Sequence, residues 1–285
     1  MRSRSGRIFA LVVLAGGCGG APPPESATEV VAVRRPTLAG DPAAADWAAL
    51  PTHRAALLLQ DVVEPRLLAP STPEVRVKAM TDGARLAFRL EWSDATTNDL
   101  PDTGRFSDAC AVQLPATTAP DVPAPQMGEA GRPVEIAYWR ASWQAVVDGR
   151  PDAITAIHPG AAVDHYPFEA ASLPPGSPEQ QAMAKRYAPA RALGNPMAGP
   201  RAKPVEDLVG EGPSTLRPAG ENRSDGRGVR TDAGWAVVIV RPLPPDVGPD
   251  ARGQVAFAVW DGARQEVGAR KMRTGWVPLL VEGAR

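Results

Sequence analysis

Two of the three histidines carry the most familiar metal-binding chemistry in this sequence. His158 and His165 are separated by six residues in a proline-rich stretch, and Asp164 precedes the second of them. Imidazole nitrogens and carboxylate oxygens are common ligands of zinc and related ions. Histidines at this spacing in a proline-rich loop are more often exposed to solvent than bound to metal. We therefore treat these residues only as an alternative candidate for a metal site.

Motifs of the common enzyme classes are missing. The sequence has no G-x-S-x-G, no P-loop and no H-E-x-x-H, the motifs of serine hydrolases, nucleotide hydrolases and zinc proteases. Its two cysteines are too few for a disulfide scaffold or a four-thiolate iron–sulfur cluster. Without C-x-x-C-H, covalent haem attachment is also excluded. We therefore expect no catalytic site, and we expect Cys110, within an alternating strand pattern, to be a small buried apolar residue.

The N-terminus predicts export and anchoring to a membrane. Three arginines precede an apolar run over 8–15, and small residues lead into Cys18. This order is typical of a signal peptide, and the run is shorter than the ~20 residues of a spanning helix. Cys18 follows Ala-Gly-Gly, which resembles the lipobox of bacterial lipoproteins. We predict a signal peptide over 1–17, lipidation of Cys18 and a location on the periplasmic face of a bacterial membrane. Ordinary cleavage that leaves Cys18 as a free thiol is the alternative.

Composition limits the partners and indicates a linker. Lys+Arg 31 against Asp+Glu 32 gives a net charge of −1, which does not favour a nucleic-acid partner. Residues 18–40 are rich in Pro, Ala and Gly and are predicted to be a tether. Any attachment to the membrane would then depend on the lipid anchor, since a basic patch is missing.

Alternating apolar and polar residues predict a β-rich body over 41–285. Segments 75–80 and 85–92 flank Asp82-Gly83, a common hairpin turn pair. Further strands are predicted over 55–63, 108–115, 134–143, 235–243 and 254–262. Short strands with Pro/Gly turns and few amphipathic helices are typical of an all-β fold, here an antiparallel β-sandwich.

Residues 150–232 interrupt this strand rhythm. The stretch is proline-rich and only weakly apolar, and it is predicted to be a long insertion that carries short helices. One such helix is expected to start at Ser177-Pro178, with Ser177 as the N-cap, and to end before Pro189.

A series of short phrases along the chain resembles a known family. In order, they are EWSDATTND (91–99), FSDACAVQLP (106–115), PQMGEAGRPVEIAYWRA (125–141), YAPARALGNP (187–196), VEDLVGEGPSTL (205–216) and VAFAVWDGARQEVGARKMRTGW (255–276). Together they resemble the haem b-binding gamma subunits that accompany molybdenum enzymes of the dimethyl sulfoxide reductase class. Ethylbenzene dehydrogenase, dimethyl sulfide dehydrogenase, selenate reductase and chlorate reductase are examples. The resemblance covers about residues 45–280.

The resemblance implies a cofactor and its ligands. Such subunits are β-sandwiches that hold one non-covalent haem b between an axial methionine and an axial lysine. On this sequence the methionine is Met127, in the loop before the 134–143 strand, and the lysine is Lys271. Because Met272 follows Lys271 directly, it is expected to point the opposite way on an extended chain. Three other methionines are weaker candidates for the ligand: Met80, Met183 and Met197.

The resemblance also implies electron transfer between a molybdenum- and iron–sulfur-containing oxidoreductase and a c-type cytochrome or another soluble partner. The known subunits are soluble, whereas this chain carries a predicted lipid anchor, which leaves its partner open. A carbohydrate-binding β-sandwich without haem is the alternative, because seven tryptophans would suit stacking on sugars. Trp92, Trp139 and Trp260 lie in predicted strands, where they are more simply explained as core residues.

Overall fold

The computed structural model describes residues 27–100, 102–117, 121–151, 154–162, 173–193, 195, 201–244, 247 and 250–283. The first seven strands are β1 (Val30–Arg34), β2 (His53–Ala56), β3 (Leu58–Leu59), β4 (Glu74–Thr81), β5 (Arg85–Ser93), β6 (Ala109–Pro115) and β7 (Val134–Arg140). The others are β8 (Val205–Gly210), β9 (Arg217–Pro218), β10 (Asp225–Thr231), β11 (Gly234–Pro242), β12 (Ala251–Trp260), β13 (Met272–Arg273) and β14 (Val277–Val281). The helices are α1 (Ala141–Val147), α2 (Ile154–Ile157), α3 (Pro178–Tyr187) and α4 (Pro189–Ala192). The fold is therefore all-β, as predicted.

Strand β12 joins two sheets that pack face to face. Its first half pairs with β14, and its second half pairs with β6 and β13. The first sheet runs β10-β11-β5-β4-β1-β14, and the second continues from β12 through β6, β7, β8 and β9. Phe88 of β5 meets Phe257 of β12 edge-on at 6.2 Å, and Trp92 meets Trp139 of β7 at 6.4 Å between ring centroids. The buried rings fill the space between the sheets, which makes the fold a sandwich.

The β4–β5 hairpin confirms the alternation that predicts it. The strands pair antiparallel, with Met80 opposite Ala87, and the turn places Gly83 at φ 84°, where a side chain would be strained. Leu86, Phe88 and Leu90 are each 0% exposed. The same-parity residues of this strand therefore form part of the core between the two sheets.

The predicted tether is too long, and the sheet is not wholly antiparallel. Val30–Arg34 lies within the predicted tether 18–40, yet it forms β1 between β4 and β14. Both of its pairings are parallel, whereas every other strand pair is antiparallel in the parts of the chain that the structure describes. The alternating VVAVR segment buries Val30 and Ala32, and that apolar burial favours a strand over a linker.

The predicted insertion is shorter than 150–232. Helices α2 to α4 lie inside it as expected, but β8 and β10 also lie there, and β8 extends the second sheet beside β7. The end of the segment 134–143 is also different, because β7 gives way to α1 at Ala141. The helix start is confirmed, since the Ser177 hydroxyl accepts a hydrogen bond from Gln180 N at 3.2 Å. Among the described residues, no helix has both the length and the apolar character needed to cross a bilayer.

Candidate functional site

A cavity of about 430 Å³ lies on the outer face of the second sheet. Alternation along β6 and β12 turns large side chains such as Phe257 inward and leaves Ala111, Ala256 and Ala258 on the outer face. These small residues leave space above the strands. The volume falls within the ~300–1,000 Å³ of typical small-molecule sites. The wider lining is largely apolar and includes Val63, Pro65, Pro125, Met127, Ile136, Tyr138, Leu208, Leu216 and Trp260.

Met127 reaches the cavity from a loop that several hydrogen bonds hold in place. Its backbone has a φ of 68°, and its carbonyl accepts a hydrogen bond from Gly212 N at 2.8 Å. Gln113 Nε2 donates to Pro125 O at 3.1 Å, and Trp276 Nε1 donates to Pro123 O at 2.6 Å. The loop that carries the thioether is therefore tied to β6, to the chain after β8 and to the chain before β14.

Lys271 enters the cavity from the opposite loop, just before β13. Its carbonyl accepts a hydrogen bond from Gln60 N at 3.2 Å, and Gln60 Nε2 donates to Ala269 O at 3.0 Å. The residue is 9% exposed, and its Nζ lies 5.1 Å from the centroid of the Trp260 ring. Burial, with the positive charge of Arg273 as a second cause, lowers the pKa of the Lys271 amine to about 8.

The two side chains meet although they are 144 positions apart in the sequence. Lys271 Nζ lies 3.8 Å from Met127 Sδ. The neutral thioether and an amine whose charged form is disfavoured suit the apolar walls, so the donor set fits an axially ligated haem.

The other candidate residues lie elsewhere. His158 is exposed, and its Nε2 lies 3.3 Å from Asp102 Oδ1. Cys110 is confirmed as buried, and burial raises its pKa well above the ordinary value. Met80 is buried in a cluster with Trp47 and Leu50, Met272 is buried in the core between the two sheets, and Met183 lies on α3. Four candidates lie outside the described residues: Cys18, Asp164, His165 and Met197.

The tryptophans do not form an exposed stacking surface. Six of the seven are buried, namely Trp47, Trp92, Trp139, Trp143, Trp235 and Trp260. The seventh, Trp276, is half-buried and packs against the residues of the outer face around Met127. All seven belong to the part of the chain that the structure describes, and the structure gives none of them the exposed ring on which a sugar would stack.

Sequence reasoning missed Arg273 at this site. The residue lines the cavity together with Lys271, two positions earlier on the same strand segment. In an extended chain, side chains two residues apart point to the same side. Met272, between them, points into the core. Once Lys271 is placed in the site, the two-residue spacing therefore predicts that Arg273 also faces the cavity.

A group of three carboxylates away from the cavity was also missed. Oxygens of Asp94, Asp108 and Asp261 lie within 4.8 Å of one another. Asp108 is fully buried and accepts hydrogen bonds from Gly262 N at 2.9 Å and from Trp235 Nε1 at 3.0 Å. Burial raises the pKa of Asp108 to about 6. Its hydrogen bonds join segments at the ends of β6, β11 and β12, which is a structural role.

The fold and the site define the class: a β-sandwich protein with a preformed apolar cavity on the outer face of one sheet. The family model described as ethylbenzene dehydrogenase matches residues 44–272. Because this match covers most of the chain, the protein belongs to that family.

Individual relatives agree with this assignment. The chlorate reductase subunit gamma of Ideonella dechloratans is 27% identical over 236 residues, which is 80% of this chain and 73% of the relative. The putative respiratory nitrate reductase heme subunit ORF7 of Haloferax mediterranei is 23% identical over 242 residues, 82% of this chain and 66% of the relative. A family 9 carbohydrate-binding module from Caldicellulosiruptor kristjanssonii in complex with cellotriose superposes with a TM-score of 0.39 at 10% identity, covering 90% of this chain and 94% of the module. So distant a structural likeness carries no functional meaning.

Proposed function

We propose that this protein is a haem-binding electron-transfer subunit that holds one non-covalent haem b in the cavity, with Lys271 and Met127 as axial ligands. The observation that carries the proposal is the 3.8 Å approach of Lys271 Nζ to Met127 Sδ beside an apolar cavity. The names of the relatives, a reductase gamma subunit and a heme subunit, support it.

Each ligand has a defined part in this proposal. Haem iron, when bound, supplies reversible one-electron transfer. Lys271 must present a neutral amine, and its burial favours the deprotonated form. Met127 contributes a soft, uncharged sulfur, which favours ferrous over ferric iron and so raises the potential. The apolar walls of the cavity would exclude water from the bound group.

We also propose the redox partners of this subunit. A gamma subunit of this family would act beside the catalytic subunit of a molybdenum oxidoreductase, where the substrate chemistry takes place. Electrons would pass between the iron–sulfur clusters of that complex and a c-type cytochrome or another soluble carrier. This chain would itself carry no catalytic site. We further propose that it is exported and held on the periplasmic face of a bacterial membrane by lipid on Cys18.

The experiment is a visible spectrum of the purified protein, followed by a pyridine haemochrome assay for the haem type. We expect a low-spin b-type spectrum. Met127→Ala should weaken haem binding and lower the potential, because the electron-accepting thioether is lost. Lys271→Ala should have the larger effect and leave an open position that binds added imidazole. Lys271→Arg should not rescue, since a guanidinium stays protonated and cannot ligate iron.

Two control variants match these changes outside the cavity. Met183→Ala removes a methionine from α3, and Lys203→Ala removes a lysine whose Nζ donates to Ser224 O at 3.2 Å. Both should keep the wild-type haem content and spectrum. If the Met127 and Lys271 alanine variants also keep them, the ligand assignment is wrong, and His158 or His165 becomes the next candidate.

A further inference from the structure

The cavity lining carries few charged groups, and they differ in whether they already have a partner. Among the described residues they are Glu64, Lys271 and Arg273. Arg66 Nε binds the Glu64 carboxylate at 2.6 Å. The Lys271 amine faces Met127. Arg273 is therefore a permanent cation of the lining, and no acidic side chain of the described residues lies at ion-pair distance from it.

Arg273 has unused hydrogen-bonding capacity. Its Nη1 donates to Thr274 O at 3.3 Å, and its Nε is buried without a partner in the described structure. A guanidinium offers five N–H donors in a planar fork that matches a carboxylate. A buried donor without a partner costs free energy, so a ligand carboxylate that reached this position would be bound favourably.

The placement of Arg273 relative to Lys271 suits a flat ligand with acidic edges. The two residues are two positions apart at the start of β13, or ~6.6 Å along an extended chain, and both line the cavity. One side chain can thus contact the centre of a planar ring while the other contacts its rim.

We infer that Arg273 binds a propionate carboxylate of the porphyrin and so fixes the orientation of haem in the cavity. This inference rests on the proposed function and adds a second point of recognition to it. Asp61, an exposed residue whose negative charge acts on Arg273, is the acidic group with which the propionate competes.

The test is a Soret titration of the haem-free protein with haem and with haem dimethyl ester, in which both propionates are esterified. Arg273→Gln should weaken haem binding about tenfold or more, the usual size for a hydrogen bond to a charged group. With the dimethyl ester the same substitution should change affinity by no more than about twofold. Arg273→Lys, which keeps the charge, should recover part of the loss.

Arg270→Gln is the matched control. Arg270 is also half-buried with an unpartnered Nε, but it lies over the Phe106 ring and not on the cavity lining. It should bind both ligands like the wild type. Equal losses in the two glutamine variants, or an Arg273→Gln loss that persists in full with the ester, would overturn the inference while leaving the proposed function intact. Failure of the wild type to bind haem would overturn both.

Discussion

At the scale of single residues, Lys271 has unusual surroundings for a lysine. Its amine lies among apolar side chains, beside an indole ring and within reach of the positive charge of Arg273. Burial disfavours the ammonium form. The haem-free protein therefore bears the free-energy cost of this lysine, and ligation of iron would remove it.

This cost predicts a pH-dependent stability difference. The pKa of Lys271 is about 8 in the folded protein against 10.5 ordinarily, so the unfolded chain binds the extra proton between these values. The contribution of Lys271 to the free energy of unfolding should therefore become more favourable by about 3 kcal/mol from pH ~8 to ~10.5. Lys271→Met removes the group, so the haem-free variant should be more stable than wild type by about 3 kcal/mol at pH 7, and the gap should close by pH 10.5.

Urea unfolding of the haem-free proteins at several pH values measures this difference. Lys185→Met, at an exposed position of α3, should change stability by less than about 0.5 kcal/mol at pH 7. A Lys271→Met variant that is no more stable than wild type at pH 7 would contradict the lowered pKa of the buried Lys271 amine.

At the scale of elements, the position of Met127 depends on a close approach between its loop and β8. A Cβ on Gly210, the last residue of β8, would lie 2.8 Å from Met127 O and 3.3 Å from Met127 Cβ. The hydrogen bond from Gly212 N to Met127 O lies beside this contact. Glycine at 210 thus lets the loop close over the cavity.

Gly210→Ala should displace the loop without removing any ligand. We expect a loss of about 1–3 kcal/mol in stability from the added methyl group and a weaker haem affinity in a Soret titration. Gly253→Ala in β12 is the control, since a Cβ there meets nothing within 4 Å, and it should match wild type in both measurements. Unchanged haem affinity in the Gly210 variant would show that the loop adjusts freely.

At the scale of the whole molecule, the sandwich separates stability from ligand binding. The main core lies between the sheets, a second cluster that includes Trp47 and Leu50 covers the far face of the first sheet, and the cavity lies on the far face of the second. A ligand on an outer face can exchange electrons with a partner without the core being opened.

We predict that the attachment of the whole protein to the membrane depends on Cys18. Cys18→Ala should prevent lipidation, so the variant should appear in soluble fractions or be mislocalised, whereas the wild type should be found in membranes. Fractionation and intact mass measure this. Cys110→Ala is the control, because Cys110 is buried in β6, and it should stay with the membranes. A wild-type chain that is soluble and unacylated would contradict the anchor.

The sequence alone determined the features that depend on neighbouring residues. Alternation predicts the β4–β5 hairpin, the burial of Cys110 and an all-β fold, because side-chain parity in a strand is a local property. The Ser177-Pro178 start of α3 is local as well. The VVAVR segment of β1 also alternates, but the Pro-, Ala- and Gly-rich residues around it favour a linker.

Which distant segments meet depends on the tertiary structure. Met127 and Lys271 approach each other because β12 changes partners after Val255, which places β6 along one edge of β12 and β13 along the other. The tertiary structure likewise determines the parallel pairings of β1, the strands in the second half of the predicted insertion and the position of Arg273 on the cavity lining. Pairing partners of a strand are chosen by burial over the whole chain, and no local pattern records them.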